Sequence, residues 1–225
     1  VAADAGTSVT VEVTGSKAGY ESATKASAPV TARALPAFSD IPEQNMFFRE
    51  ISWLASEGIS TGWTESDGSR TYRPLETVKR DAMAAFLYRL AGRPDFTPPS
   101  ESPFSDVPRT NMYYKEIAWL ADQRISTGYA EADGRRTFRP LDPVNRDAMA
   151  AFMYRFDKSP AYEPPAAASF ADVQSSNQFY KEISWLAARG VSTGWPEADG
   201  SRTYRPLQPV ARDAMAAFMY RLMKN

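Results

Sequence analysis

The chain has 225 residues, 43% of them hydrophobic and 12% aromatic, and a net charge of −1. It contains no histidine and no cysteine, which excludes disulfides, imidazole or thiolate metal sites, cysteine nucleophiles and every histidine-based triad. The near-neutral charge gives no sign of a nucleic-acid or membrane-surface partner, and no apolar run approaches the ~18–20 residues of a membrane span.

Val1 is not followed by a signal-peptide pattern, so the chain is expected to be a mature product or a fragment of something longer. "TSVTVEVTGS" alternates Val9, Val11 and Val13 with polar residues, the pattern of a half-buried strand. "GSKAG" reads as a turn and "YESATKASAPVTAR" as a returning strand. Residues 1–35 therefore make a β-hairpin at most, which is marginal alone in water. It is expected to be the tail of a truncated β-sandwich domain, or a hairpin leaning on the rest of the chain.

From Phe38 onward the chain repeats itself. "FSDIPEQNMFFREISWLASEGISTGW", "FSDVPRTNMYYKEIAWLADQRISTGY" and "FADVQSSNQFYKEISWLAARGVSTGW" align without gaps. Phe38, Phe104 and Phe170 stand 66 residues apart, as do Trp53, Trp119 and Trp185. The expected domains are 1–35 (hairpin), then repeats at 36–92, 93–158 and 159–225. The Pro-rich stretches "AGRPDFTPPSESP" and "DKSPAYEPPAAAS" are the connectors.

Each repeat reads helix, loop, helix. In the first, a helix is expected from Gln44 to Glu57, with Phe47, Ile51 and Leu54 forming one apolar stripe. Gly58 and Gly190 suit its C-terminal cap, where the second repeat has Arg124. The next helix is expected from Lys79 to Leu90, with Ala82, Met83, Phe86 and Leu90 on one face. One such pair cannot bury its own apolar face, so a mainly α, pseudo-threefold bundle of three pairs is expected.

The loops between helices carry the candidate chemistry. An aromatic follows a glycine at Gly62-Trp63, Gly128-Tyr129 and Gly194-Trp195. Such a ring could stack on a sugar, or pack on the proline of the following Arg-Pro pair. Asp67-Gly68 and its two equivalents, Asp133-Gly134 and Asp199-Gly200, read as tight turns rather than Ca²⁺ loops, which need more oxygen ligands. The loop arginines suggest an anionic ligand, or pairing with loop carboxylates.

"VKRDAMAAF", "VNRDAMAAF" and "VARDAMAAF" place Arg80, Arg146 and Arg212 at a helix start. A cation there faces the positive end of the helix dipole, at a cost of ~0.3–1 kcal/mol. The misfit recurs three times. A helix start with free N–H groups attracts anions, and an arginine adds a bidentate fork for carboxylate or phosphate. The alternative is an inter-repeat salt bridge.

The ordered pattern F-[SA]-D-[IV], "SWLA" or "AWLA", G-[IV] or its "RI" variant, an aromatic after Gly, D-G, [FY]-R-P and x-R-D-A resembles a tandem of surface-layer homology (SLH) domains, in their actinobacterial style. It covers Phe38 to about Leu222. The resemblance implies a three-pronged bundle whose inter-repeat grooves bind cell-wall polysaccharide non-covalently, in many members a pyruvylated secondary cell-wall polymer. The family motif T-R-A-E maps its anion-reading arginine to Arg80, Arg146 and Arg212, and the groove glycine and aromatic to Gly62, Trp63, Gly128, Tyr129, Gly194 and Trp195. Here that motif reads K-R-D-A, N-R-D-A and A-R-D-A, so the capping Thr and Glu are absent and Asp81, Asp147 and Asp213 stand in. The family's usual tryptophan early in the first helix reads Met46, Met112 and Gln178.

The resulting expectation is a non-catalytic wall anchor of a secreted protein. It has no metal and no cofactor, a cell-wall glycopolymer as partner, no nucleic-acid or membrane partner, a monomeric state and an extracellular, wall-associated location. The alternative is a lattice-forming protein–protein scaffold. A glycosidase built on Glu65 and Asp67 is disfavoured, because those acids sit in a turn with no sign of a cleft.

Overall fold

The structure, a computed structural model, describes residues 7–31 and 38–224. The chain divides into two compact units, Val1–Ala37 and Phe38–Asn225. The expected boundary at residue 35 lies outside the described residues.

The first unit is a two-stranded antiparallel ribbon. β2 (Glu12–Gly15) pairs with β3 (Ala23–Ala26), and β1 (Ser8–Val9) with β4 (Val30–Thr31). The turn closes with Tyr20 N–H donating to Lys17 O, and Gly19 takes φ +84°. Val9, Val11 and Val13 are exposed, not half-buried. A two-stranded ribbon has no second layer to cover either face.

Among its described residues the second unit contains six helices and three short hairpins. Repeat 1 runs α1 (Phe48–Ser56), β5 (Trp63–Thr64), β6 (Arg70–Thr71) and α2 (Arg80–Leu90). Repeat 2 runs α3 (Tyr114–Asp122), β7 (Tyr129–Ala130), β8 (Arg136–Thr137) and α4 (Arg146–Phe156). Repeat 3 runs α5 (Tyr180–Ala188), β9 (Trp195–Pro196), β10 (Arg202–Thr203) and α6 (Arg212–Lys224). Helix occupies less than a third of the chain, so turns and loops carry much of the fold.

α1 starts four residues later than its apolar stripe suggests. Asn45 Oδ1 accepts from Phe47 N–H at 2.8 Å, and Asn111 and Asn177 do the same for Tyr113 and Phe179. This asparagine turn bends the chain before the helix can begin. The C-terminal caps are as read. Gly58 has φ +65°, Gly58 N–H donates to Ala55 O and Ile59 N–H to Leu54 O. Arg124 takes the same left-handed conformation at φ +56°.

Second helices pack on the first helices of the following repeat: α2 on α3, α4 on α5, and α6 back on α1. Each seam holds an edge-to-face ring pair, Tyr88 with Trp119, Tyr154 with Trp185, and Tyr220 with Trp53. Such pairs add ~0.5–1.5 kcal/mol beyond their buried area. The connectors are tied down as well. Tyr88 and Tyr154 hydroxyls donate to Pro94 O and Pro160 O, and Tyr114 and Tyr180 hydroxyls to Pro99 O and Pro165 O.

Just before the second helices, three buried valines bond to one another through their backbones. Val78 N–H donates to Val210 O, Val210 N–H to Val144 O, and Val144 N–H to Val78 O, at 2.8–2.9 Å. The cycle closes.

Candidate functional site

The helix starts do not offer free N–H groups. Arg80 N–H donates to Asp142 O and Asp81 N–H to Pro140 O, both at 3.0 Å and both in repeat 2. Ala82 N–H donates to Asp81 Oδ1 at 2.6 Å, and Met83 N–H to Lys79 O. The same set recurs at Arg146 and Arg212, on Gln208 and Pro206 and on Glu76 and Pro74. The loop of one repeat thus caps the helix of the repeat before it, with repeat 1 capping repeat 3. The anion-binding helix terminus expected from the sequence is already filled by protein carbonyls.

The arginine side chains are a separate matter. Arg80 Nε donates to Phe138 O at 2.6 Å, Arg146 Nε to Tyr204 O at 2.6 Å, and Arg212 Nε to Tyr72 O at 2.8 Å. All three arginines are buried. Among the described residues none pairs with a carboxylate, so the alternative reading, an inter-repeat salt bridge, is not seen there. Aromatic rings replace it. The Arg80 guanidinium lies 4.8 Å from the Tyr129 and Phe138 centroids, Arg146 lies 4.2 Å from Trp195, and Arg212 lies 4.3 Å from Trp63. Each such contact contributes ~0.5–2 kcal/mol, more when desolvated. Burial pushes all three guanidinium groups below their usual range. They still carry their charge at neutral pH.

Arg212 also donates from Nη2 to Ser60 Oγ at 3.1 Å. Among the described residues, only the Nε of Arg80 and of Arg146 bonds to protein. No fully buried side-chain nitrogen or oxygen lacks a partner among those residues. The free amino groups of Arg80 and Arg146 therefore reach solvent, and they do so in two grooves. The Arg80 groove, of about 480 Å³, takes Gly128 and Tyr129 from the repeat 2 loop, Phe152 from α4, and Gln178 and Phe179 from repeat 3. The Arg146 groove, of about 260 Å³, takes Gly194 and Trp195, Phe218 from α6, and Met46 and Phe47 from repeat 1. Each groove draws on all three repeats.

Tyr129 and Trp195 line these two grooves, and Trp63 holds the matching place in repeat 1, meeting Arg212. Trp63 and Tyr129 are 36% and 38% exposed. Each ring meets a second arginine, the one in its own Arg-Pro pair, with Arg73, Arg139 and Arg205 at 4.5, 4.2 and 4.5 Å. The ring face that sequence offered to a sugar is thus shared with guanidinium. These loop arginines pair with Glu65, Glu131 and Glu197, as one reading of the loops expected. The glycines answer first to the fold. A Cβ on Gly194 would lie 2.5 Å from Phe170 Cε1 and 2.6 Å from Thr203 O, at φ +62°. The Asp-Gly pairs form turns, with Ser69 N–H donating to Asp67 Oδ1.

One set of residues escaped the sequence reading. Asp40, Asp106 and Asp172 each accept two backbone N–H groups at 2.7 Å, Asp40 from Tyr72 and Arg73. They hold the left-handed backbone of Arg73, Arg139 and Arg205, at φ +57 to +59°. The signal was available, since an acid follows Phe38, Phe104 and Phe170 at constant spacing.

Residues 103–150 and 169–216 each match the family model of the S-layer homology domain. The two matches lie in tandem along the chain. No curated protein matches it. The two SLH matches cover repeats 2 and 3, from the phenylalanine that opens each repeat to the first turns of its second helix. SLH domains are generally non-catalytic modules that anchor proteins to the cell wall by binding secondary cell-wall polymers, and they occur on cell-surface proteins. Among the described residues no helix is long and apolar enough to cross a membrane.

Proposed function

We propose that this chain anchors a secreted protein to a bacterial cell wall by holding an anionic secondary cell-wall polysaccharide, such as a pyruvylated one, in the grooves between repeats. On this reading residues 36–92 are a third SLH repeat, the three form a pseudo-threefold bundle, and residues 1–35 are the tail of an Ig-like domain. Arg80, Arg146 and Arg212 read the negative charge. Gly62, Trp63, Gly128, Tyr129, Gly194 and Trp195 line the walls. The module acts as a monomer.

One observation carries the reading. Arg80 and Arg146 are buried, have no carboxylate partner among the described residues, and present unbonded amino groups to a groove. A buried cation that the protein leaves unneutralised strongly favours an anionic ligand. The purified chain should co-sediment with wall sacculi and fail to do so once their glycopolymer is stripped. Changing both Arg80 and Arg146 to glutamine should reduce the bound fraction at least tenfold with the fold intact by circular dichroism. Unchanged sedimentation after stripping would remove the proposal.

A scaffold role has one observation of its own. Leu75, Leu141 and Leu207, which follow the Arg-Pro pairs, are 81%, 67% and 73% exposed. That reading requires concentration-dependent assembly without any wall, visible by light scattering.

A further inference from the structure

Two of the three helix seams are strapped by a connector. The strap reads "PDFTPP" at 94–99 across the α2–α3 seam and "PAYEPP" at 160–165 across the α4–α5 seam, one pattern, P-x-[FY]-x-P-P. Each strap is fastened at both ends by tyrosine hydroxyls that donate to proline carbonyls. Tyr88 and Tyr114 hold Pro94 O and Pro99 O, and Tyr154 and Tyr180 hold Pro160 O and Pro165 O. Between the ends the aromatic turns inward. Phe96 shares a hollow with Trp119, and the Tyr162 hydroxyl donates to Ser184 O in α5. The four fastening tyrosines are buried, and so are Trp119 and Trp185.

The third seam, α6 on α1, differs at every one of these points. At the same spacing before Phe38 the sequence reads "APVTAR", with neither the aromatic nor the paired prolines. Val30, in the aromatic's place, belongs to β4 and is 69% exposed. Tyr220 and Trp53, the equivalents of Tyr88 and Trp119, are only half-buried. Phe48, the equivalent of Tyr114, is half-buried too and has no hydroxyl. Among the described residues the Tyr220 hydroxyl has no hydrogen-bond partner. Two cations flank the seam. The Arg49 guanidinium lies 5.0 Å from the Tyr220 centroid and the Lys224 ammonium 5.7 Å from that of Trp53. Neither pairs with a carboxylate among the described residues.

We propose that the α6–α1 seam is a docking groove for a proline-rich segment of a partner protein, of the pattern P-x-[FY]-x-P-P with a carboxylate at one x position. The two strapped seams define what fits there. A proline-rich segment is extended before it binds, so docking against a row of aromatic rings costs it little ordering. Proline has no N–H, so its carbonyl is the backbone group left to pair. The Tyr220 hydroxyl supplies the donor that Tyr88 and Tyr154 supply elsewhere. The segment's own ring covers Trp53 as Phe96 meets Trp119. Asp95 and Glu163 stand next to the aromatic in the two straps, and Arg49 and Lys224 are placed to meet such an acid in the third. These exposed charges speed and orient the encounter, while the rings carry most of the affinity. Phe48, Trp53 and Tyr220 do not line the Arg146 groove, so an occupied seam leaves that groove open.

The chain's own straps serve as probes. Synthetic peptides of residues 93–102 and 158–167 are titrated into the full chain, and the tryptophan indole signals are followed by nuclear magnetic resonance. Both peptides should shift the Trp53 signal and leave Trp119 and Trp185 in place. A peptide with alanine at both paired prolines should bind at least tenfold more weakly. Phe48→Tyr restores the hydroxyl that fastens the other straps and should tighten binding about threefold, the effect of one neutral hydrogen bond. Tyr220→Phe should weaken it by a similar factor. Neither change alters core volume appreciably, and a purely structural role for these rings predicts no gain from Phe48→Tyr. Three results would overturn the proposal: no Trp53 shift at any peptide concentration, shifts at Trp119 or Trp185 in its stead, or affinities that both variants leave unchanged. A Trp53 signal that moves with concentration of the chain alone would assign the seam to a second copy and overturn it as well. Co-sedimentation with sacculi should be the same with and without peptide, so these outcomes leave the wall-anchoring reading untouched.

Discussion

Asp213 sits half-buried in the first turn of α6, where its Oδ1 accepts from Ala214 N–H at 2.5 Å. Burial raises its carboxyl above the ordinary range. The folded chain therefore holds that proton more tightly than the unfolded chain. Stability from this group is fully present at low pH and is lost as pH rises through the folded value. Asparagine keeps the acceptor and drops the charge. The melting temperature of Asp213→Asn should thus match that of the parent near pH ~3 and exceed it at neutral pH. An equal gap at both pH values would mean that burial does not disfavour the charge. At this scale the sequence showed that an arginine recurs at a helix start, but not what its side chain meets. Arg80 bonds to Phe138 and Arg212 to Tyr72, partners 58 and 140 residues away that no local pattern connects. It showed phenylalanine at 138 where the other repeats have tyrosine, but not what the tyrosine hydroxyls meet. Tyr72 and Tyr204 hydroxyls donate to Arg212 O and Arg146 O, whereas Phe138 has no hydroxyl to offer Arg80.

The end of α3 is the odd one among the first helices. Arg124 holds the left-handed cap that Gly58 and Gly190 hold elsewhere. A side chain there is strained by ~1 kcal/mol relative to glycine. Arg124→Gly should therefore raise the denaturant midpoint by the equivalent of ~1 kcal/mol. An unchanged or lowered midpoint would show that the arginine side chain offsets the strain. Elements were largely legible, because apolar spacing, capping glycines and proline-rich connectors are local signals. The failures were local too. The asparagine turn at Asn45 delays α1, and the valine alternation at 9, 11 and 13 looked like a buried face although those side chains are exposed. Periodicity reports which face is apolar, not whether a partner layer exists.

At the scale of the molecule, each repeat depends on its neighbours. α4 finds α5, but α6 returns to α1 across the whole length of the second unit. Repeats 2 and 3 alone would lose α1 and α2, the Trp53–Tyr220 contact, and the cap that Glu76 and Pro74 place on α6. A fragment of residues 93–225 should therefore melt without a sharp transition, followed by circular dichroism. A cooperative melt matching that of the full chain would show that two repeats suffice. Sequence suggested that the repeats must bury one another. It could not show that helix caps, seams and groove walls are all exchanged in the same direction around the chain.

The three-valine cycle has a consequence for how such a chain can change over time. In an open stack, a unit can be gained or lost at an end and the remainder still pairs. Here every valine N–H is spoken for by another valine carbonyl, and the third bond returns to the first. Duplication or deletion of one unit by genetic slippage would break bonds of this cycle, and any buried donor or acceptor not paired again would cost ~1–3 kcal/mol. The cycle thereby opposes the gain or loss of a unit, and divergence falls on side chains such as Met46 and Gln178 that stand outside it.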